Sequence, residues 1–309
     1  DDLEYLRSTL ENTHYDLYAY TSEEDFTANF ESQIKLIDID SLDILEATSL
    51  FQRVISAANN GHTEIDFPGS SYVVYAQNGG TVIPIELAFE DGKALIRKNW
   101  SDAHIPVGSE MISINKMTMN EVLSKIYPQL SAERAYFKNA KIEMYSFPRM
   151  YWQVFGQVDS FELLVSTNGE NKEYTIEAPN LVEGYELKRD GEVIDLTPDF
   201  RFYNQAAYLK PPEFSGDEVY FQSYIDSCFG ELNVSGKENL ILDLRNNKGG
   251  DDWYSDYVVS YFADRSFKWY SNFRLKTSEI LKEDTRAKFD TTEAYWSSIL
   301  SHKSGESYE

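Results

Sequence analysis

The hydrophobic pattern changes its period twice along the 309 residues, and that change limits the folds open to the chain. Up to about residue 60 apolar side chains recur at helical spacing. Leu3, Leu6 and Leu10 share one face, and Phe26, Phe30 and Ile34 recur at steps of four behind Ser22, a plausible N-cap. A third helix is expected from near Ser41, carrying Leu45, Phe51 and Ile55 and ending at Asn59-Asn60-Gly61, where Asn and Gly favour a left-handed cap. From about residue 72 the period becomes two. The stretches SYVVYA, TVIPIELAF and KALIRK read as strands, with a hairpin turn at 90–92. VGSEMISINKM adds a strand and a turn. Thr118 with Glu121 makes a capping-box pattern before a short helix, and a second helix is expected at about 131–143. Residues 159–178 form a hairpin with Asn168-Gly169 at its tip.

Past a boundary near Pro179 to Gly191 strands and helices alternate. AAYLK is extended, GDEVYFQSYIDSCFGEL is amphipathic, NLILDL reads as a buried strand, and DDWYSDYVVSYFAD as a helix with an acidic first turn. Such alternation implies an α/β layer with parallel strands. No apolar strand is expected after residue 264, where the tail reads as polar, helical and then loop-like.

Composition excludes some functions. With 28 basic and 52 acidic residues the formal net charge is −24, which phosphate backbones repel, so nucleic acid is not an expected partner. Cys228 is the single cysteine, so no internal disulfide and no cysteine-rich zinc site can form; it reads as a small core hydrophobe. No apolar run approaches the roughly 20 residues of a membrane helix.

The stretch ENLILDLRNNKGGDDW, residues 238–253, feeds an apolar strand into a glycine pair and then a helix. Glycine permits positive φ and lets a ligand approach the main-chain amide. The Walker and dinucleotide patterns both fail here, and Asp251 and Asp252 would repel a pyrophosphate. A calcium loop starting at Asp243 fails as well, because Arg245 and Tyr254 occupy ligand positions. The surviving alternatives are an oxyanion hole for acyl transfer and a tight turn in which the glycines only solve a packing problem. Among four histidines (His14, His62, His104 and His302), His62 stands at a helix-to-strand junction, where an imidazole can serve as general base or be a plain surface residue.

Taken together these segments resemble the tail-specific, or C-terminal-processing, serine peptidases of family forty-one, which includes the tricorn core enzymes. LILDLRNNKGG at 240–250 resembles the family's strand-and-glycine signature. NNGHT at 59–63 resembles its segment around the catalytic histidine, and IPVGSEMISINKMTMNEVL at 105–123 its PDZ-like segment. The opening twenty residues also fit the family's common start. The resemblance implies an α+β multidomain chain: an N-terminal helical domain at 1–68, a PDZ-like β-rich domain at 69–182, and a partial crotonase/ClpP-like α/β protease core at 183–309. It implies His62 as general base and Gly249 or Gly250 as the oxyanion-hole amide, with no cofactor and no metal. The expected partner is a polypeptide substrate or a peptide C-terminus. Export to a bacterial periplasm or cell envelope is implied too, and the non-Met start is compatible with a removed export signal or a lipid anchor.

Three departures stand out. Gly61 replaces the serine that precedes the histidine in tricorn-like members, and Asn60 replaces a common aspartate. Ser297, Ser298 and Ser304 lack the apolar strand that would place a nucleophile, so the catalytic serine is expected outside this sequence. The segment alone is then expected to be inactive. The competing expectation is a non-catalytic protein that binds peptides in a PDZ-like groove.

Overall fold

Three amphipathic helices open the chain: α1 (Asp2–Thr13), α2 (Glu23–Ile34) and α3 (Ile44–Ile55). Their apolar faces meet around Leu3, Phe26, Phe30, Leu50 and Val54. Ser22 caps α2 as expected, accepting the Asp25 N–H at 3.0 Å. Two details differ from expectation. Ile34 is exposed rather than packed. α3 begins behind Asp43, not Ser41, because Asp43 and Glu46 form a reciprocal capping box. A short 3₁₀ turn, Ser56–Ala58, then ends in left-handed Asn59.

The segment 71–76, expected as a strand, is part of helix α4 (Gly69–Gln77). Its valines explain the difference. Val73 and Val74 face outward, while Tyr72 and Tyr75, three apart, turn inward onto Trp152 with ring centroids 4.9 and 5.1 Å away. Tertiary packing of two aromatics therefore overrides the β propensity of the valines. The next expected strand is also shorter than predicted: β1 spans Ile85–Glu90, and Thr81 makes only an isolated bridge to Asn180.

The central sheet contains β1, β2 (Lys93–Asn99), β3 (Glu110–Ile114), β4 (Met117–Thr118), β5 (Ser160–Thr167) and β6 (Glu170–Glu177). Its order is β1-β2-β3-β5-β6, all antiparallel, with β4 folded back on β3. Three hairpins turn through residue pairs with positive φ: Asp91-Gly92, Asn115-Lys116 and Asn168-Gly169. That matches the twist of the flanking strands. α5 (Met119–Ile126) starts on the expected capping box, with the Thr118 N–H donating to Glu121 at 2.7 Å. The helix expected at 131–143 is α6 (Ala135–Tyr145), and α7 (Phe147–Phe155) follows without a counterpart in the sequence reading. The sheet and these helices bury Ile85, Leu87, Ile96, Ile114, Ile126 and Phe147.

Beyond α8 (Tyr185–Glu192) comes a three-stranded sheet. β7 (Asp199–Phe202) pairs antiparallel with β8 (Ala207–Lys210), and β8 pairs parallel with β9 (Leu240–Leu242). α9 (Glu218–Ser235) connects the parallel pair, and α10 (Asp252–Ser260) follows β9. Leu209, Phe221, Ile225, Cys228 and Val258 form the core, with Cys228 in its expected role. Burial pushes the Cys228 thiol up to about 11. The strand at 240–244 is less buried than expected: Ile241 is 51% exposed. β9 lies at the sheet edge, with β8 as its only strand neighbour among the described residues.

The tail is helical as expected, in α11 (Glu279–Lys288) and α12 (Ala294–Ser301), and its only strands among the described residues are the two-residue β10 (Leu275–Lys276) and β11 (Ser307–Tyr308), which pair antiparallel. Trp296 stacks on Phe289 at 3.7 Å.

This computed structural model describes residues 1–37, 41–181 and 185–309. The domain edge expected at 182/183 lies outside the described residues. By Cα proximity the chain forms two units, Asp1–Glu186 with Asn272–Glu309, and Leu187–Ser271. The architecture is a mixed, multidomain α+β one. Among the described residues no helix is long and apolar enough to cross a membrane.

Trp152→Ala should destabilise the protein by about 3–5 kcal/mol, since both α4 tyrosines lose their common partner. The urea unfolding midpoint measures it; a loss under about 1 kcal/mol would remove the packing explanation for α4.

Candidate functional site

His62 lies in the turn that follows the left-handed Asn59 cap. Its main-chain N–H donates to Asn60 Oδ1 at 3.0 Å, and its side chain is exposed. Polar contacts on both flanks hold this turn. The Gly61 N–H donates to a Glu133 carboxylate oxygen at 2.9 Å, while the Gly61 carbonyl accepts from Lys141 Nζ at 2.8 Å. Lys141 is only 4% exposed and also pairs with Glu64. A buried ammonium must be paired or pay heavily for desolvation, and here a carboxylate and a carbonyl satisfy it. The Gly61 hydrogen bond holds the Glu133 carboxyl below its ordinary value. Ser131 Oγ donates to the Asn60 carbonyl at 2.8 Å.

Gly61 has no space for a side chain. A Cβ there would lie 2.4 Å from Phe137 Cε1 and 3.2 Å from Glu133. A serine at this position would have to displace the ring of Phe137.

The next residue, Thr63, is held by His14, whose Nε2 lies 2.8 Å from Thr63 Oγ1. The Asp16 N–H donates to His14 Nδ1 at 3.1 Å. Nδ1 is therefore an acceptor, the proton sits on Nε2, and the imidazole is neutral. Burial, its largest influence, lowers the His14 pKa from 6.5. Lys276 Nζ donates to the His14 carbonyl at 2.8 Å and tethers β10 to the same place.

The second candidate element is the loop after β9. Asp243 accepts from Tyr208 Oη at 2.6 Å and from the Arg245 guanidinium at 2.6 Å. Those bonds, Arg245 first, hold the Asp243 carboxyl far below the carboxylate range. The Asn247 N–H donates to the Leu244 carbonyl at 2.9 Å, and Asn247 Oδ1 in turn accepts the Gly249 N–H at 2.8 Å. The Gly249 amide is therefore occupied. Gly250 has φ of +151° and bridges Phe214. The Asp251 N–H donates to the Phe214 carbonyl at 3.0 Å, whereas the Gly250 N–H has no hydrogen bond among the described residues. A Cβ on Gly250 would lie 1.9 Å from the Phe214 oxygen, so no other residue fits without moving the backbone. Asp251 caps α10 by accepting the Trp253 N–H at 2.8 Å.

His62 belongs to the first unit, and Gly249 and Gly250 belong to the second. Ser297 and Ser298 lie on α12, and Ser304 donates to the Glu279 carboxylate. Among the described residues no group of three or more His, Cys, Asp or Glu side chains is placed to hold a metal. Glu133, Lys141 and Tyr208 act at these loops and were not singled out from sequence. Each lies far along the chain from the loop it supports, and no local pattern marks it.

Residues 205–300 match the family model described as Peptidase family S41. The matched segment contains the strand-and-glycine stretch at 240–250. No curated protein matches it. Solved structures similar to it include mature CPAF complexed with lactacystin (TM-score 0.58, 13% identity, 93% of this chain and 63% of that one). Mature CPAF is also similar, at TM-score 0.57 and 15% identity over 93% of this chain and 62% of that one. At such identities the shared property is the fold. The chain spans under two thirds of the length of the structures it matches.

Two outcomes follow. Gly61→Ser should cost about 1–3 kcal/mol by overpacking, and Phe137→Leu in the same chain should restore part of it, as read by urea unfolding. An unchanged midpoint in the single variant would show that the ring yields freely. His14 binds its proton more weakly folded than unfolded, so the unfolded state takes up more protons just below pH 6.5. Stability should therefore fall as pH drops through 6.5 toward the lower folded value. His14→Gln should flatten that slope, and an equal slope in both proteins would exclude His14 as its source.

Proposed function

We propose that the protein is a serine-type endopeptidase of the C-terminal-processing kind, hydrolysing peptide bonds by acyl transfer. The observation that carries this reading is the N–H of exposed Gly250, unpaired among the described residues, in the loop that follows parallel strand β9 and inside the segment that matches Peptidase family S41. In this reading a serine hydroxyl attacks the scissile carbonyl and His62 takes its proton. Negative charge then develops on the carbonyl oxygen, and the Gly250 N–H donates to it. Gly250 is favoured over Gly249 because the Gly249 amide is already bonded to Asn247. The nucleophilic serine is left unassigned among residues 1–309. Asn60 and Gly61 cannot orient the imidazole through a hydroxyl. That task falls to the backbone, which Glu133, Lys141 and Ser131 hold rigid.

The three-part division into a helical domain, a PDZ-like domain and a crotonase-like protease core belongs to the same proposal, as does an exported, cell-envelope location. A second reading rests on β6. It is an edge strand with mostly exposed residues, and it could accept a peptide as an added strand without chemistry.

His62→Gln should lower kcat on a peptide substrate by about 10²–10⁴ while leaving the unfolding midpoint unchanged. Undiminished turnover would remove His62 as general base. Binding of peptides with no serine-dependent cleavage in any form of the protein would favour the second reading.

A further inference from the structure

Two carboxylates stand at the His62 turn, and they are used differently. Glu64 pairs with Lys141. Glu133 has no ion pair among the described residues, and only one of its oxygens is committed: Oε1 accepts the Gly61 N–H at 2.9 Å. Oε2 takes no hydrogen bond from another described residue, and it lies 3.2 Å from the point that a Cβ on residue 61 would occupy. The side chain is half-buried and this oxygen keeps accessible surface. A carboxylate oxygen has lone pairs for further donors, so Oε2 has acceptor capacity to spare one residue from His62.

The His62 ring is the matching group. It is exposed, and neither ring nitrogen has a hydrogen bond among the described residues, although the main-chain N–H is bonded to Asn60. An imidazole always carries at least one N–H donor. Ring and carboxylate lie within each other's field. The Gly61 N–H is the largest influence on the Glu133 carboxyl, and the positive charges of protonated His62 and of Lys141 help to hold it below its ordinary value.

The other polar groups at the turn cannot take this part. Lys141 repels an imidazolium, and its own charge neutralises Glu64. His14 is committed to Thr63 and to the Asp16 N–H. Residue 61 has no hydroxyl. A base that accepts a proton becomes a cation, and an opposite charge within about 4–6 Å favours that form. A carboxylate bonded to the ring N–H also fixes which nitrogen is left to act as acceptor.

We propose that Glu133 is a positioning residue for the base: its Oε2 accepts from one ring nitrogen of His62, turns the other toward the attacking hydroxyl, and offsets the charge of the imidazolium. The hydroxyl proton ends on His62, and Glu133 stays ionised throughout. The inference rests on the peptidase reading for the role of His62, and its test does not depend on turnover.

The test is an NMR pH titration of the four histidine rings, with His62 assigned through His62→Gln. Glu133→Gln keeps an oxygen for the Gly61 N–H and removes only the charge, and a dispersed spectrum reports an intact fold. In this variant the proton affinity of His62 should fall about tenfold, with His104 and His302 unchanged. Glu170→Gln, the same change of charge at the β5–β6 hairpin, should leave His62 unaltered, which separates the pair from the general field of a chain of net charge −24. In the unsubstituted protein 1 M salt should weaken proton binding at His62 more than at His104, because a partly exposed pair is screened. That comparison decides the matter if Glu133→Gln does not fold. An unchanged His62 in folded Glu133→Gln, equal shifts at all the histidines, or equal salt responses of His62 and His104 overturns the proposal. His62 coupled to Glu133 in a protein that cleaves nothing would keep the pair and refute the peptidase. Cleavage by a protein whose His62 ignores Glu133 would do the reverse.

Discussion

A missing side chain at residue 250 is the constraint on which the second unit turns. The Cα of Gly250 lies against the Phe214 carbonyl so closely that a methyl group would overlap it. This approach lets the Asp251 N–H reach the same carbonyl, and Asp251 then caps α10. The bridge, the cap and the start of the helix are one arrangement, and it leaves a main-chain N–H at position 250 without a hydrogen bond among the described residues. In the proposed reading that donor would meet the developing negative charge without reorganisation. Its neighbour at 249 has been spent on closing the loop through Asn247.

The first unit reaches rigidity at His62 by a different route. Both main-chain groups of Gly61 are hydrogen-bonded, the N–H to Glu133 and the carbonyl to Lys141. The two gripping residues carry opposite charges, and Glu64 completes the pairing of the buried lysine. Phe137 fills the space that a side chain on residue 61 would need. The imidazole itself stays exposed while the peptides beside it are hydrogen-bonded. In a chain of net charge −24, a buried lysine at this point is notable, because it takes an internal cation to fix an acidic loop.

Much of this could be read from local chemistry. Ser22 and Thr118 announced their helices, and Asn168-Gly169 announced its hairpin, because caps and turns depend on residues within four positions. The run at 71–76 misled because Val73 and Val74 suggest a strand, whereas the outcome depended on Trp152, some eighty residues away. α7 was missed although Ser146 and Pro148 stand at its start, since the preceding helix pattern ran straight into it. His62, Gly249 and Gly250 were legible as candidates through spacing and resemblance. The preference for Gly250 over Gly249 was not, because it turns on one side-chain oxygen, that of Asn247. Glu133 and Lys141 were invisible for the same reason: their meaning lies in long-range contacts.

The proposal that the His62 imidazole and the Gly250 amide serve one carbonyl is tested most directly by a crystal structure of the protein with a peptide aldehyde or boronate bound. The account predicts the adduct oxygen at roughly 2.7–3.1 Å from Gly250 N, with His62 within hydrogen-bond reach of the serine oxygen. An adduct oxygen held by other donors, with His62 well beyond the span of a bound peptide, would contradict it.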